Sequence, residues 1–132
     1  MIKRLKPTGI HPPLANYAHA VEVPAGARWL VLSGQLGIDA DGSIPEDTAG
    51  QADICFRNIG HILQQGGMGF EDIVRITAFL VDEADLAAYM AVRDRYVLNP
   101  APASTLLVVR SFSRTQFKVE IEIIVAKIDT PS

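Results

Sequence analysis

The sequence of 132 residues holds a single cysteine, Cys55, so no internal disulfide can form and the fold has to be held by its core. No apolar run approaches the length of a membrane span, and the longest apolar stretches are strand-sized. The stretch Met-Ile-Lys-Arg-Leu-Lys-Pro-Thr-Gly at the start lacks the apolar centre of a signal peptide, and the expectation is a soluble, cytoplasmic protein in a reducing compartment. An excess of basic charge is missing as well. The net charge is -3, the aromatic share is 7%, and no basic run alternates with aromatics, which argues against nucleic acid or an anionic membrane as partner. His11, His19 and His61 have no second His or Cys three or four residues away, so no metal site is expected. Gly66-Gly67-Met68-Gly69 follows a helical pattern rather than opening one, which makes it a helix stop and not a phosphate loop. No nucleophile-elbow pattern surrounds Ser33, and a triad of Ser33, His19 and Asp39 is set aside.

What is present reads as one folded domain over residues 1–132. Hydrophobic residues make up 48% and charged ones 20%, and repeats, low-complexity segments and linkers are absent. The most informative stretch is Lys118 to Ile128. Its odd positions Val119, Ile121, Ile123 and Val125 form an apolar row at strand spacing, while the other face carries Glu120, Glu122, Ile124 and Ala126. A carboxylate beside apolar surface is costly unless it is paired, so Glu120 is the first candidate for function, against the plainer reading that both glutamates face water.

Earlier in the chain, Pro7, Gly9, Pro12 and Pro13 predict an irregular arm or a short edge strand. Tyr17 to Val23 and Arg28 to Ser33 predict a hairpin across Pro24-Ala25-Gly26-Ala27, with Ser33-Gly34-Gln35 at its end, where a glycine lets a ligand approach the backbone. A helix starts near Asp47 or Thr48, with Thr48 and Gln51 at capping-box spacing. Its stripe of Ala52, Cys55, Phe56, Ile59, Ile62 and Leu63 makes Cys55 a buried structural thiol. Ile73 to Val81 is a strand apolar on both faces. A second helix carries Leu86, Tyr89, Met90, Arg93, Tyr96 and Val97 at helical spacing until Asn99-Pro100, and the charges of Arg93, Asp94 and Arg95 read as a solvated face. Ser104 to Val109 and the Lys118 strand complete an α+β pattern: a mixed five- to six-stranded sheet with two helices on one face. Two helices leave the second, partly apolar face bare, and homo-oligomerisation would cover it.

Four strings in this order resemble the RidA/YjgF family of reactive-intermediate deaminases from about Ala15 to Lys127: Asn16-Tyr17-Ala18-His19-Ala20-Val21, Ser33-Gly34-Gln35, Pro102-Ala103-Ser104-Thr105 and Val119-Glu120-Ile121-Glu122. The resemblance implies a chorismate-mutase-like subunit and a homotrimer with a central barrel and small-molecule clefts between subunits. It also implies hydrolysis of enamines or imines such as 2-aminoacrylate, without metal or organic cofactor. In such deaminases an arginine directly after Pro-Ala holds the substrate carboxylate, and a glutamate of Val-Glu-Ile-Glu handles the water. Here the glutamate is Glu120 and the arginine position is Ser104. A hydroxyl has neither the charge nor the planar fork, and losing a charge-assisted bond costs roughly 1.5–3 kcal/mol.

Arg110 lies six strand residues, or about 20 Å, further along. Arg114, or an arginine of a neighbouring subunit, is left as a substitute anchor. Ala101 and Met90 stand where the deaminases often carry an aromatic and an asparagine, so the pocket is expected to be roomier and more apolar. The resulting expectation is a RidA-like trimer whose clefts are lined by Tyr17, Ser33, Gly34, Ser104 and Thr105 with Glu120 as the catalytic group, acting on an enamine, imine or related C–N bond but not as a standard 2-imino acid deaminase. A non-catalytic metabolite-binding module is the alternative, and an endoribonuclease-like activity the third reading.

Overall fold

The alternating stretch becomes the longest strand, β7 (Val119–Lys127), in a computed structural model that describes residues 1–129. Before it come β1 (Lys3–Leu5), β2 (Ala20–Glu22), β3 (Arg28–Val31), β4 (Gln35–Leu36), α1 (Thr48–Gln65), β5 (Ile73–Leu80), α2 (Leu86–Tyr96) and β6 (Ala103–Val108). One mixed sheet runs β3-β7-β5-β6, with β4 continuing the β3 side along β7. β5 and β6 are parallel, and every pairing with β7 is antiparallel. The odd row of β7 is buried together with Ile76, Ala78 and Leu80 of β5 under Cys55, Phe56, Ile59 and Leu63 of α1 and Tyr89 and Val92 of α2. This is the expected α+β arrangement, with both helices on one face.

The other face carries no helix. Trp29, Val31 and Leu107 remain 51%, 76% and 49% exposed there, beside half-buried Phe79 and Ile124. Val31 of β3 pairs with Ile124 of β7, and Leu107 of β6 with Phe79 of β5, so these side chains lie on one face across four strands.

Two local expectations need correction. β2 does not pair with β3: it forms a small sheet with β1, Lys3 opposite Glu22 and Leu5 opposite Ala20. The segment leading into β2 bridges Ala18 to Ala103 on the β6 edge, whereas β3 lies on the β7 edge. Pairing β3 with β7 lets Leu30 and Leu32 join the core beside Val125 and Ile123, a burial that a free-standing hairpin could not supply.

The proposed capping box is also not formed. Asp47 is the N-cap and its carboxylate accepts from the Gly50 N–H, while Gln51 is fully buried and does something else. Its Nε2 donates to the carbonyls of Pro45 (2.8 Å) and Gln116 (2.9 Å), and its Oε1 accepts from the Lys118 N–H at 2.8 Å. One amide thus ties α1 to both the preceding loop and the entry of β7. Gln51→Ala strips partners from three backbone groups and is expected to cost roughly 3 kcal/mol, read as a lower urea midpoint with unchanged slope.

Candidate functional site

The sheet separates the candidate residues into two groups. Ser104 is in register with buried Ile76, so its side chain lies on the helix side. There it lines a hollow of about 490 Å³ with Tyr17, Leu14 and Ala15 of the N-terminal segment, Leu86, Tyr89, Met90 and Arg93 of α2, and Ala78 and Leu106 of the sheet. Tyr17 is half-buried and its hydroxyl accepts from the Leu14 N–H at 3.2 Å, so it holds the rim of this hollow. Met90 is part of this lining, whereas Ala101 lies outside it.

Glu120 is on the bare face, next to Phe79 and opposite Leu36. Val31 pairs with Ile124 and Gln35 with Ile121, four steps on one strand against three on the other, so one extra residue is accommodated around Ser33 and Gly34. That bulge brings Gly34 under the carboxylate: a Cβ there would stand 2.8 Å from Glu120 Oε2 and 2.9 Å from its Cδ. Glycine at this position leaves the room that the carboxylate occupies. Ser33 is exposed beside it, and its carbonyl accepts from the Gln35 side chain at 3.1 Å. Thr105, one residue from Ser104, points to the bare face and its hydroxyl accepts from Arg75 Nη2 at 2.8 Å. Tyr17 and Ser104 therefore share one wall, while Glu120, Gly34, Ser33 and Thr105 lie on the other side of the sheet, with Thr105 two residues along from the Glu120 row.

Burial pushes the Glu120 carboxyl above the ordinary carboxylate range, and the charge of Glu122 adds to the effect. The folded state thus favours the neutral acid. Its contribution to stability is present below about pH 4 and is lost as pH rises through the raised value. Glu120→Gln, neutral at every pH, is expected to melt above the natural protein at pH 7, with the difference vanishing in melts at or below about pH 4. Cys55 has an unreactive setting: it is fully buried, it donates to the Gln35 carbonyl at 3.4 Å, and desolvation pushes its thiol up to about 12.

Arg93 is the residue that the sequence reading placed wrongly. It is 2% exposed instead of solvated, with Nη1 donating to Asp94 Oδ1 (3.1 Å) and Nη2 to the Asn16 carbonyl (2.9 Å). Its place four residues after Tyr89 and three after Met90, on the apolar stripe of α2, was the signal available for its burial. Arg110 and Arg114 are exposed in the loop before β7, and neither lines the hollow. Among the described residues no group of three or more His, Cys, Asp and Glu could hold a metal ion, and no helix is long and apolar enough to cross a membrane.

An open mixed sheet with two helices on one face is also the fold of solved Rid-family proteins. A Rid-family protein YyfB from Yersinia pestis superposes with TM-score 0.84 at 24% identity, over 96% of this chain and 98% of its own. RidA from an Antarctic Psychrobacter gives 0.70 at 27% identity, over 93% and 98%. In sequence, the protein DfrA of Myxococcus xanthus is 34% identical over 84% of this chain and 85% of its own length. A 2-iminobutanoate/2-iminopropanoate deaminase of Bos taurus is 34% identical over 84% and 80%. The family model described as Endoribonuclease L-PSP matches residues 8–127, and the chain belongs to this RidA/YjgF family.

Proposed function

We propose that the protein is a trimeric enzyme or binder of small molecules, with each ligand cleft formed where the Ser104 hollow of one copy meets the Glu120 wall of the next, and that its chemistry is hydrolysis of an imine or enamine C–N bond. The observation that carries this reading is the separation of the two walls. Glu120 and Ser104 lie on opposite faces of one sheet, so a ligand in the hollow reaches a catalytic carboxylate only if an adjacent copy supplies it. The bare face with Trp29, Val31 and Leu107 offers the apolar surface such an assembly needs.

In the proposed reaction Glu120 takes a proton from water as its oxygen adds to the C=N carbon. The nitrogen gains a proton, the C–N bond breaks, and ammonia leaves a carbonyl product. Desolvation and the neighbouring Glu122 charge raise the proton affinity of this carboxylate, which favours its taking a proton from water. Tyr17 and the Gly34 backbone would position the ligand. Because Ser104 has no charge, the cleft does not hold a 2-imino acid by an arginine at that strand position.

The relatives named as deaminases support this reaction over RNA cleavage. So does the net charge of -3. The test is ammonia release from 2-aminoacrylate generated in the assay, for the natural protein, Ser104→Arg and Glu120→Ala, with an RNA substrate in parallel. Release that Glu120→Ala abolishes supports the reading. RNA cleavage with no ammonia release from any variant overturns it.

A further inference from the structure

A second hollow, of about 480 Å³, shares Tyr17 with the Ser104 hollow and lies between the β1–β2 sheet, the proline segment 7–13 and the turn before β6. The small sheet sorts its charges by face. Lys3 is opposite Glu22, and alternation puts both on the side of Leu5 and Ala20. Arg4 is opposite Val21, and one step further along the same register Lys6 comes opposite His19, so these basic side chains share the other side. Arg4, Lys6 and His19 all line the hollow, and no aspartate or glutamate does.

Arg4 is half-buried and held by carbonyls alone. Its Nε donates to Ala101 at 3.0 Å and its Nη2 to Ile73 at 3.3 Å, which leaves Nη1 without a partner. Partial burial with no carboxylate beside it pushes the Arg4 guanidinium below its ordinary value, as befits a cation short of counter-charge. Lys6 is exposed, and none of the ion pairs among the described residues involves either cation. The rest of the hollow is mainly apolar, with Ile10, Pro12 and Pro13 from the proline segment beside the Tyr17 ring and Pro100. The His19 ring stands edge-on to Tyr17, centroids 6.0 Å apart, and its Nε2 donates to the His11 carbonyl at 2.8 Å, which ties the proline segment to the small sheet.

We propose that this hollow is a second binding site, for a small phosphate monoester with an apolar body: Arg4 and Lys6 take the phosphate, and Ile10, Pro13 and Tyr17 take the body. Two unneutralised cations on one face match a dianion, whereas a single carboxylate charge leaves one of them uncompensated. The apolar wall selects for the ester over inorganic phosphate, which would leave that wall in water. Neither Arg4 nor Lys6 belongs to the Ser104 hollow or the Glu120 wall, so the site stands apart from the proposed hydrolysis, with Tyr17 alone lining both hollows.

The experiment is titration calorimetry of the protein with phenyl phosphate, benzoate, phenol and inorganic phosphate. Phenyl phosphate is expected to bind about tenfold more tightly than any of the other three, and to weaken as salt is raised. Lys6→Met keeps the apolar stem and removes an exposed charge, so it is expected to weaken phenyl phosphate about fivefold at an unchanged melting temperature, and Lys6→Glu to weaken it further. Lys6 decides the matter because Arg4 also straps β1 to the carbonyls of Ile73 and Ala101, and its removal alters stability whatever its part in binding. Ser104→Phe, which fills the other hollow, is expected to leave phenyl phosphate affinity unchanged. Unaltered affinity in both Lys6 variants overturns the assignment, as does a natural protein that binds benzoate or phenol as tightly as phenyl phosphate, or that binds no phenyl phosphate at all. Loss of binding in Ser104→Phe overturns it too, by placing the ligand in the Ser104 hollow.

Discussion

Glu120→Gln is expected to lower imine hydrolysis by about a hundred- to ten-thousandfold while leaving ligand affinity within a fewfold of the natural value. The amide keeps the size of the carboxylate and its place over Gly34, so the wall keeps its shape. It cannot take a proton from water. Steady-state ammonia release and calorimetry on the same preparation separate the two effects: a fall in kcat with binding retained assigns the carboxylate to chemistry, whereas equal loss of both makes it a binding group. The substitution that removes activity is also the one expected to raise the melting temperature at pH 7, since a desolvated charge is removed. Opposite signs for activity and stability at a single position would mark a functional residue, because a purely structural one loses both.

Leu107→Glu is expected to convert the assembly to monomers and to abolish turnover. Leu107 is 49% exposed in the single chain, beside Phe79 on the bare face, so a glutamate there is solvated in a monomer and costs little. In an assembly that covers this face, a charge would be buried in every copy, at several kcal/mol each. Light scattering reads the mass and thermal melting reads the fold. A folded monomer without activity is the expected outcome. A variant of unchanged mass would show that the bare face is not the interface.

Much of this architecture was legible in the residues. The alternation of Val119, Ile121, Ile123 and Val125 defined a central strand with one buried face, and the turn residues placed α1 within a residue or two of its observed ends, whereas α2 starts only at Leu86 and stops at Tyr96, short of the Asn99-Pro100 expected to end it. What the residues could not show was partnership at a distance. Tyr17 to Val23 and Arg28 to Ser33 look like a hairpin because four turn residues separate them, yet the burial of Leu30 and Leu32 beside β7 outweighs a local pairing. Gln51 has the spacing of a cap but lies under the entry to β7, a contact between residues 67 apart in sequence that no local pattern encodes.

The candidate site divides along the same line. Ser104 and Thr105 are neighbours in sequence and were read as one binding element, but the pleat sends them to opposite faces. Arg93 was read by its charge when its spacing from Tyr89 and Met90 spoke for the buried stripe. Where charge and periodicity disagree, burial follows periodicity if the charge has partners, here the Asn16 carbonyl and Asp94.

The claim on which the account turns is that each site is shared by two copies, and subunit mixing tests it directly. Ser104→Phe fills the hollow on one wall and Glu120→Gln disables the other, so each variant alone is expected to be inactive in ammonia release. Unfolded together in equal amounts and refolded, they are expected to form mixed trimers in which one cleft of three pairs an intact hollow with an intact glutamate. Random mixing then returns about a quarter of the natural specific activity. Activity near that level is the predicted result, whereas a mixture as inactive as its components, with mixed trimers verified by native mass spectrometry, would contradict a site shared between copies.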